Sequence, residues 1–180
     1  MPRPSKLDNE YFMLARNHIA AFRARWRDKV DRPVLEIGPE HDAPWTGADT
    51  MNILPGCTYE ADITHRTDIL TSMYATVIAM EVLDHVTDPF AAVREMERIL
   101  RSDGILLVSA PWNFRIHGPQ PDLWRFNQNT WRLVLKNFEI LEMDVLDTPG
   151  RPLMPLHINV AARRSKWKFV NEVQFKRIDR

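Results

Sequence analysis

The sequence predicts a doubly wound α/β sheet of seven mostly parallel strands, on three observations. The apolar run Val34–Ile37 stops at Gly38, as a buried parallel strand does before it turns toward a ligand. The stretch "YATVIAMEVLDHVTDPFAAVREMERILRSDGILLVSAP", residues 74–111, reads as strand, helix and return strand, a unit that closes by a right-handed crossover. Four more strand-like runs flank that unit, at residues 49–53, 58–61, 139–146 and 157–162.

In chain order, residues 8–30 form a helix, because Phe12, Ala15, Ile19, Phe22 and Trp26 recur at the three-and-four spacing of one apolar stripe. Asp31-Arg32-Pro33 stops it, since a proline pushes the residue before it out of the helical region. The strand 34–37 follows, then weaker ones near Asp49–Ile53 and Thr58–Ala61, separated by the turn Pro55-Gly56. Ala75–Met80 is an apolar strand. In the next helix Pro89, Phe90, Val93, Met96, Ile99 and Leu100 mark the stripe, Asp88 is the N-cap and Pro89 takes the first helical position. Asp103-Gly104 closes that helix, and Ile105–Ser109 is another buried strand. Thr130–Leu135 is helical, Glu139–Leu146 and His157–Ala162 are strands, and residues 165–180 carry no clear pattern.

The chain of 180 residues is expected to be one domain, with an N-terminal helix in 1–32 and a basic tail at 163–180. Hydrophobic residues at 44% and charged residues at 27% exclude a disordered composition. Apolar runs fall far short of the roughly 20 residues a membrane span needs. The N-terminus lacks the apolar core of a signal peptide, and Cys57 is the single cysteine, which rules out an internal disulfide and a thiolate metal cluster. A cytoplasmic location without membrane contact is expected. Net charge is zero but uneven: residues 1–32 hold eight Lys/Arg against four Asp/Glu, and residues 161–180 hold seven against two. The basic ends read first as solvated helix faces and a tail, with recruitment of a polyanion or packing against the acidic body as alternatives, so nucleic acid is not the favoured partner but stays open.

In such a sheet, ligands bind beyond the carboxyl ends of the strands, near the point where strand order reverses. Residues 38–40, 49–52, 62–63, 80–85 and 110–113 lie there. The segments "VLEIGP", "EADIT" and the whole block 74–111 resemble, in that order, the class I S-adenosylmethionine-dependent methyltransferase superfamily, of the type 11 kind with a Rossmann-like sheet. The later "HGPQPDLWRF" resembles a subgroup of it, and the similarity spans roughly residues 34–146.

One departure stands out. The acidic ribose ligand of such folds lies about 20 residues beyond the glycine-rich turn. Here Asp49 comes 11 residues after Gly38 and Asn52 comes 14 after it, too few for a turn, a full helix and a second strand. The first crossover helix is therefore expected to be shortened or missing. The resemblance implies S-adenosylmethionine as cofactor. Glu36 would accept from its ammonium, unless it merely caps a strand end. Gly38 and Pro39 would bound the methionine pocket, and Asn52 or Asp49 would bind ribose. Asp62 and the Ile63 amide would meet adenine, Met80 and Leu83 would sandwich the ring, and Glu81 would lie beside it.

The chemistry is expected from "MEVLDHV" and from the loop after residue 109. A methyl acceptor usually has to lose a proton, and a histidine suits that task; His117 or His85 is the candidate base. For His117 the plain alternative is a loop histidine bonded to backbone. Glu81, Asp84, His85 and His117 could instead hold a divalent ion, a pattern similar to metal-assisted O-methyltransferases; this alternative is not favoured. Trp112 and Trp124 would wall an acceptor pocket and Arg115 or Arg125 would pair an anionic group. In the competing reading Asp122 and Arg125 form an ion pair and the tryptophans are core. Two functions remain open: a methyltransferase acting on an unidentified, small-molecule acceptor, and an inactive methyltransferase-like binding or scaffold module. The sequence does not reveal the oligomeric state.

Overall fold

A computed structural model describes residues 5–39, 45–118 and 120–165. Seven strands form one sheet: β1 (Val34–Ile37), β2 (Asp49–Asn52), β3 (Tyr59–Glu60), β4 (Tyr74–Met80), β5 (Leu100–Pro111), β6 (Phe138–Thr148) and β7 (Arg151–Arg164). Their spatial order is β3-β2-β1-β4-β5-β7-β6. The first five are mutually parallel, and β7 runs antiparallel to both of its neighbours. Strand order reverses between β1 and β4, which places the ligand crevice at their carboxyl ends.

Three helices appear among the described residues: α1 (Lys6–Trp26), α2 (Pro89–Ile99) and α3 (Gln128–Val134). The first starts earlier than its apolar stripe predicts, because Ser5 and Asp8 cap it reciprocally. It also ends four residues earlier than expected, in a turn at 27–29. Ile19, Phe22 and Trp26 pack with Val34, Ile78, Met80, Leu107 and Ala161 on one sheet face. Phe12 departs from the predicted stripe: it is 48% exposed, because the amino-terminal half of α1 reaches past the core toward the carboxyl edge of the sheet. On the other face α2 and α3 bury Val93, Met96, Ile99, Trp131 and Val134 in the larger core.

The described residues carry no helix between β1 and β2, as the short interval requires; 40–44 of that connection lie outside them. The β2–β3 and β3–β4 connections hold none either.

Two boundaries are corrected. Asp103-Gly104 does not close α2, since Leu100 already pairs with Tyr74 and opens β5. Residues 101–104 bulge instead before Ile105 pairs with Thr76. Gly104 is required there because a Cβ would lie 2.9 Å from the Arg101 carbonyl and 3.0 Å from that of Ala75. The last two strands are also longer than predicted, forming a hairpin across the Pro149-Gly150 turn. Pro152 and Pro155 mask it in sequence, and the β6–β7 register shifts beside Pro155.

Candidate active site

Gly38 ends β1 with φ +61°, and its N–H donates to the Met51 carbonyl at 2.8 Å. A Cβ there would come within 2.8 Å of Val82 Cγ2, so the turn after β1 nests against the loop after β4. Asn52 closes β2 at the same edge, and its Oδ1 accepts from the Leu54 amide at 3.2 Å. Asp62 follows β3. Its Oδ1 accepts from the Thr64 amide and hydroxyl at 2.9 and 2.8 Å, and its side chain is 46% exposed. Burial raises the Asp62 pKa, but these bonds and His65 outweigh it and hold it below the ordinary carboxylate value.

Several expected cofactor contacts stand elsewhere. Asp49 opens β2 at its amino end and accepts from the Tyr74 hydroxyl at 2.7 Å, about three strand rises or 10 Å from the ligand edge. Glu36 is 2% exposed, and both its oxygens are engaged, one by Arg23 at 2.6 Å and the other by the Trp45 amide. It braces α1 against β1 rather than offering an open acceptor. Met80 and Leu83 are buried in different core clusters, on opposite sheet faces, so they do not form two walls of one slot. The Ile63 side chain is likewise core, and Pro39 follows Gly38 at the edge.

A cavity of about 200 Å³ lies beside this edge, lined by Phe12, Ala15, Arg16 and Ile19 of α1 together with Glu81, Pro111, Phe114 and His117. Of the expected acceptor-pocket residues, none of Trp112, Arg115, Trp124 and Arg125 lines it. Arg125 is held by Asp122, with Nη2 to Oδ2 at 2.8 Å, and by the carbonyls of Phe114 and Arg115. Trp124 is 38% exposed and donates its indole N–H to the Val86 carbonyl at 2.9 Å, so it is not core either. Trp112 is half-buried and donates its amide to Leu156, and Arg115 is exposed. A larger cavity of about 620 Å³ lies between α1 and Arg32, Val34 and Trp45. Its contact with β1 is at the amino end of that strand, away from the ligand edge.

Asp122 ties the loop together: it accepts from the His117 amide at 2.8 Å and lies 2.9 Å from His117 Nδ1. Burial would raise its pKa, but the Arg125 and His117 bonds pull it down to about 2. His117 Nδ1 faces that anion without hydrogen-bond geometry, and the other ring nitrogen is Nε2. That nitrogen is 3.8 Å from Asp84 Oδ2, and His85 Nε2 is 3.4 Å from the same oxygen. His85 donates through Nδ1 to the Pro121 carbonyl at 2.7 Å, so it braces the loop over Asp84 and does not line the cavity.

Asp84 is fully buried, and among the described residues neither of its oxygens has a hydrogen-bond partner. Burial, with the negative charge of Glu81 second, pushes its pKa up to about 7. Asp84, His85 and His117 bring three donor atoms within 4.8 Å of one another, a spacing a divalent ion would accept. Glu81, expected in that group, stands outside it. Its Oε1 accepts from Ser109 Oγ at 2.8 Å and meets His157 Nε2 at 2.7 Å.

The Asp84 value gives a pH prediction. Its folded pKa lies above the ordinary 3.8, so the native state holds the proton more tightly. The stabilisation is complete below about pH 4 and is lost as pH rises through about 7. Melting temperature in chelator should therefore fall across that window. Asp84→Asn should flatten the slope, and an equal slope in the variant would contradict the assignment.

Comparison with known proteins fits the sheet order. Residues 50–108, from β2 into β5, match the family described as "Methyltransferase domain". The sheet is the Rossmann-like fold seen in methyltransferases of known structure. The chain is 14% identical to an S-adenosylmethionine-dependent methyltransferase from Methanosarcina mazei, over 73% of this chain and 92% of that one, with a TM-score of 0.56. Against another from Mesorhizobium loti, identity is 14% over 81% of this chain and 96% of that one, with a TM-score of 0.58. The [4+2]-cyclase SpnF shares the fold as well, at 13% identity over 73% of this chain and 74% of that one, with a TM-score of 0.53. No curated protein matches the chain in sequence.

Proposed function

We propose that the protein is an S-adenosylmethionine-dependent methyltransferase acting on a small acceptor. The observation that carries this reading is the meeting of two features at one sheet edge. The turn at Gly38, with Asn52 and Asp62 beside it, adjoins a cavity holding a carboxylate and an imidazole, Glu81 and His117.

The donor set fits the cofactor. Asn52 offers an amide for ribose hydroxyls, and Asp62 a carboxylate, with the Ile63 amide beside it, for the adenine amino edge. Gly38 and Pro39 line the methionine side. The sulfonium supplies an electrophilic methyl group. The chain's own task is to hold the acceptor and remove its proton. His117 is the base: Asp122 anchors the residue through its backbone amide, and ring Nε2 takes the proton. Phe12, Ile19 and Phe114 exclude water around the acceptor, whose size is limited by a cavity of about 200 Å³.

The function is tested by adding a fractionated small-molecule extract to the protein and S-adenosylmethionine and measuring S-adenosylhomocysteine release. Release that tracks one fraction and is lost in His117→Ala supports the reading. Cofactor binding without release from any fraction favours the scaffold reading, a live alternative because a cyclase shares this fold.

The strand positions also rank the ribose candidates. Asn52→Ala should weaken cofactor binding more than Asp49→Ala in calorimetric titration, because only Asn52 stands at the ligand edge. The reverse order would show that the cofactor lies elsewhere.

A further inference from the structure

The polar face of the antiparallel hairpin is not used by the chemistry described above. Ser109, Asn159 and Asp144 are registered neighbours across β5, β7 and β6, and His157 and Glu142 lie on the same face by strand alternation. Helix α1 packs on that face and answers it with His18, Arg25 and Trp26. Arg25 pairs with Glu142 and Asp144, and the Trp26 indole donates to Glu142 at 2.8 Å.

Within this interface runs a continuous chain of side chains that ends in the cavity. Glu81 Oε1 is 2.7 Å from His157 Nε2, His157 Nδ1 is 3.2 Å from His18 Nδ1, and His18 Nε2 is 2.9 Å from Asp144 Oδ2. His157 is fully buried, whereas the Glu81 and Asp144 side chains are 26% and 25% exposed. Each of the three links needs a proton between its atoms. Two neutral imidazoles bring one each and the carboxylates bring none, so the completed chain holds one proton more.

Asn159 shows where that proton sits. Its Nδ2 lies 3.4 Å from the His18 carbonyl, which only accepts, and 3.1 Å from His18 Nδ1. His18 Nδ1 is thus an acceptor, its one lone pair shared between Asn159 Nδ2 and His157 Nδ1, and its hydrogen is on Nε2, toward Asp144. His157 donates from Nδ1 to His18, and the extra proton lies between His157 and Glu81. Electrostatics agree. Burial lowers the His18 pKa more than Asp144 raises it, keeping that ring neutral. Burial would raise Glu81, but His157 and the Ser109 hydroxyl outweigh it and hold its carboxyl below the ordinary value.

We propose that His157, held by His18 and Asp144, is a positioning residue that keeps Glu81 ionised at the wall of the acceptor cavity, where Glu81 binds a hydroxyl or amine hydrogen of the acceptor. The proposal rests on reading that cavity as the acceptor site. Helix α1 is then part of the site twice over: it supplies the apolar wall through Phe12, Ala15 and Ile19, and through His18 it sets the charge of the opposite wall. The other charged groups acting on Glu81 are His117, Arg125 and Asp84; those acting on His18 are Asp144, Arg25 and His157.

The test uses the full chain without cofactor or acceptor. Ring-nitrogen NMR should show His18 protonated at Nε2 only and His157 protonated at both nitrogens near neutral pH. The Glu81 side-chain carboxyl signal should titrate about one pH unit higher, or about tenfold in proton affinity, in His18→Leu than in the wild type. His18→Gln keeps an acceptor for His157 and should recover most of that shift. A merely structural role for His18 would leave the Glu81 titration unmoved in folded protein, and that result overturns the proposal, as does a proton on His18 Nδ1. His157→Gln, if it folds, should shift Glu81 further. None of these titrations depends on cofactor. A protein that fails to bind S-adenosylmethionine would therefore sink the methyltransferase reading and leave the outcome for this proton chain standing.

Discussion

Replacing His117 by alanine should lower methyl transfer by about 10²–10⁴-fold and leave cofactor affinity nearly unchanged. The ring lines the acceptor cavity, whereas the cofactor candidates Asn52 and Asp62 lie at the ends of other strands. Asp122 anchors the His117 amide and Arg125, so Asp122→Ala should lower turnover too, through a misplaced imidazole. Steady-state S-adenosylhomocysteine release measured across pH in chelator separates the outcomes. Full activity of His117→Ala would remove it as base. Complete inhibition by chelator, with equal losses in Asp84→Ala and His85→Ala, would assign the work to a metal ion.

Gly38→Val should weaken S-adenosylmethionine binding by more than tenfold, about 1.4 kcal/mol or more. Two effects act together. The residue sits at φ +61°, where a β-branched side chain costs about 1–3 kcal/mol, and its Cβ would press within 2.8 Å of Val82 Cγ2. The turn must then open or Val82 must move, and either changes the edge proposed for the cofactor. Val82→Ala in the same chain should restore part of the loss, since it removes the clash and leaves the backbone strain. Unchanged affinity in a folded Gly38→Val protein would place the cofactor away from this turn.

Most of the fold was legible because its signals are local. The apolar strand 34–37, the capped helix after Asp88 and the second apolar strand each carry their own pattern. The short interval after Gly38 argued against a full crossover helix by arithmetic of length, and the described residues of that connection carry none. The bulge at 101–104 was hidden because Asp103-Gly104 reads as a helix stop, and only pairing of Leu100 with Tyr74 shows that the helix has already ended. The candidate site was less legible. His117 and Glu81 could be singled out by chemistry, and the Asp122–Arg125 ion pair was one of two readings of the loop; that the other wall of the cavity comes from α1 depends on tertiary packing. Asp49 and Asn52 could not be separated without knowing the strand's direction and ends. The His18–His157 contact joins residues 139 positions apart. Its one sequence signal is the alternation of polar residues in "EMD" and "HIN" on strands that otherwise read as apolar.

Calorimetric titration with S-adenosylmethionine and its demethylated product decides whether the Gly38 edge is a cofactor site. A saturable one-to-one complex is expected at ligand concentrations below about 1 mM, weakened by Gly38→Val and Asn52→Ala and little changed by His117→Ala. Absence of binding by a folded protein at that concentration would contradict the assignment.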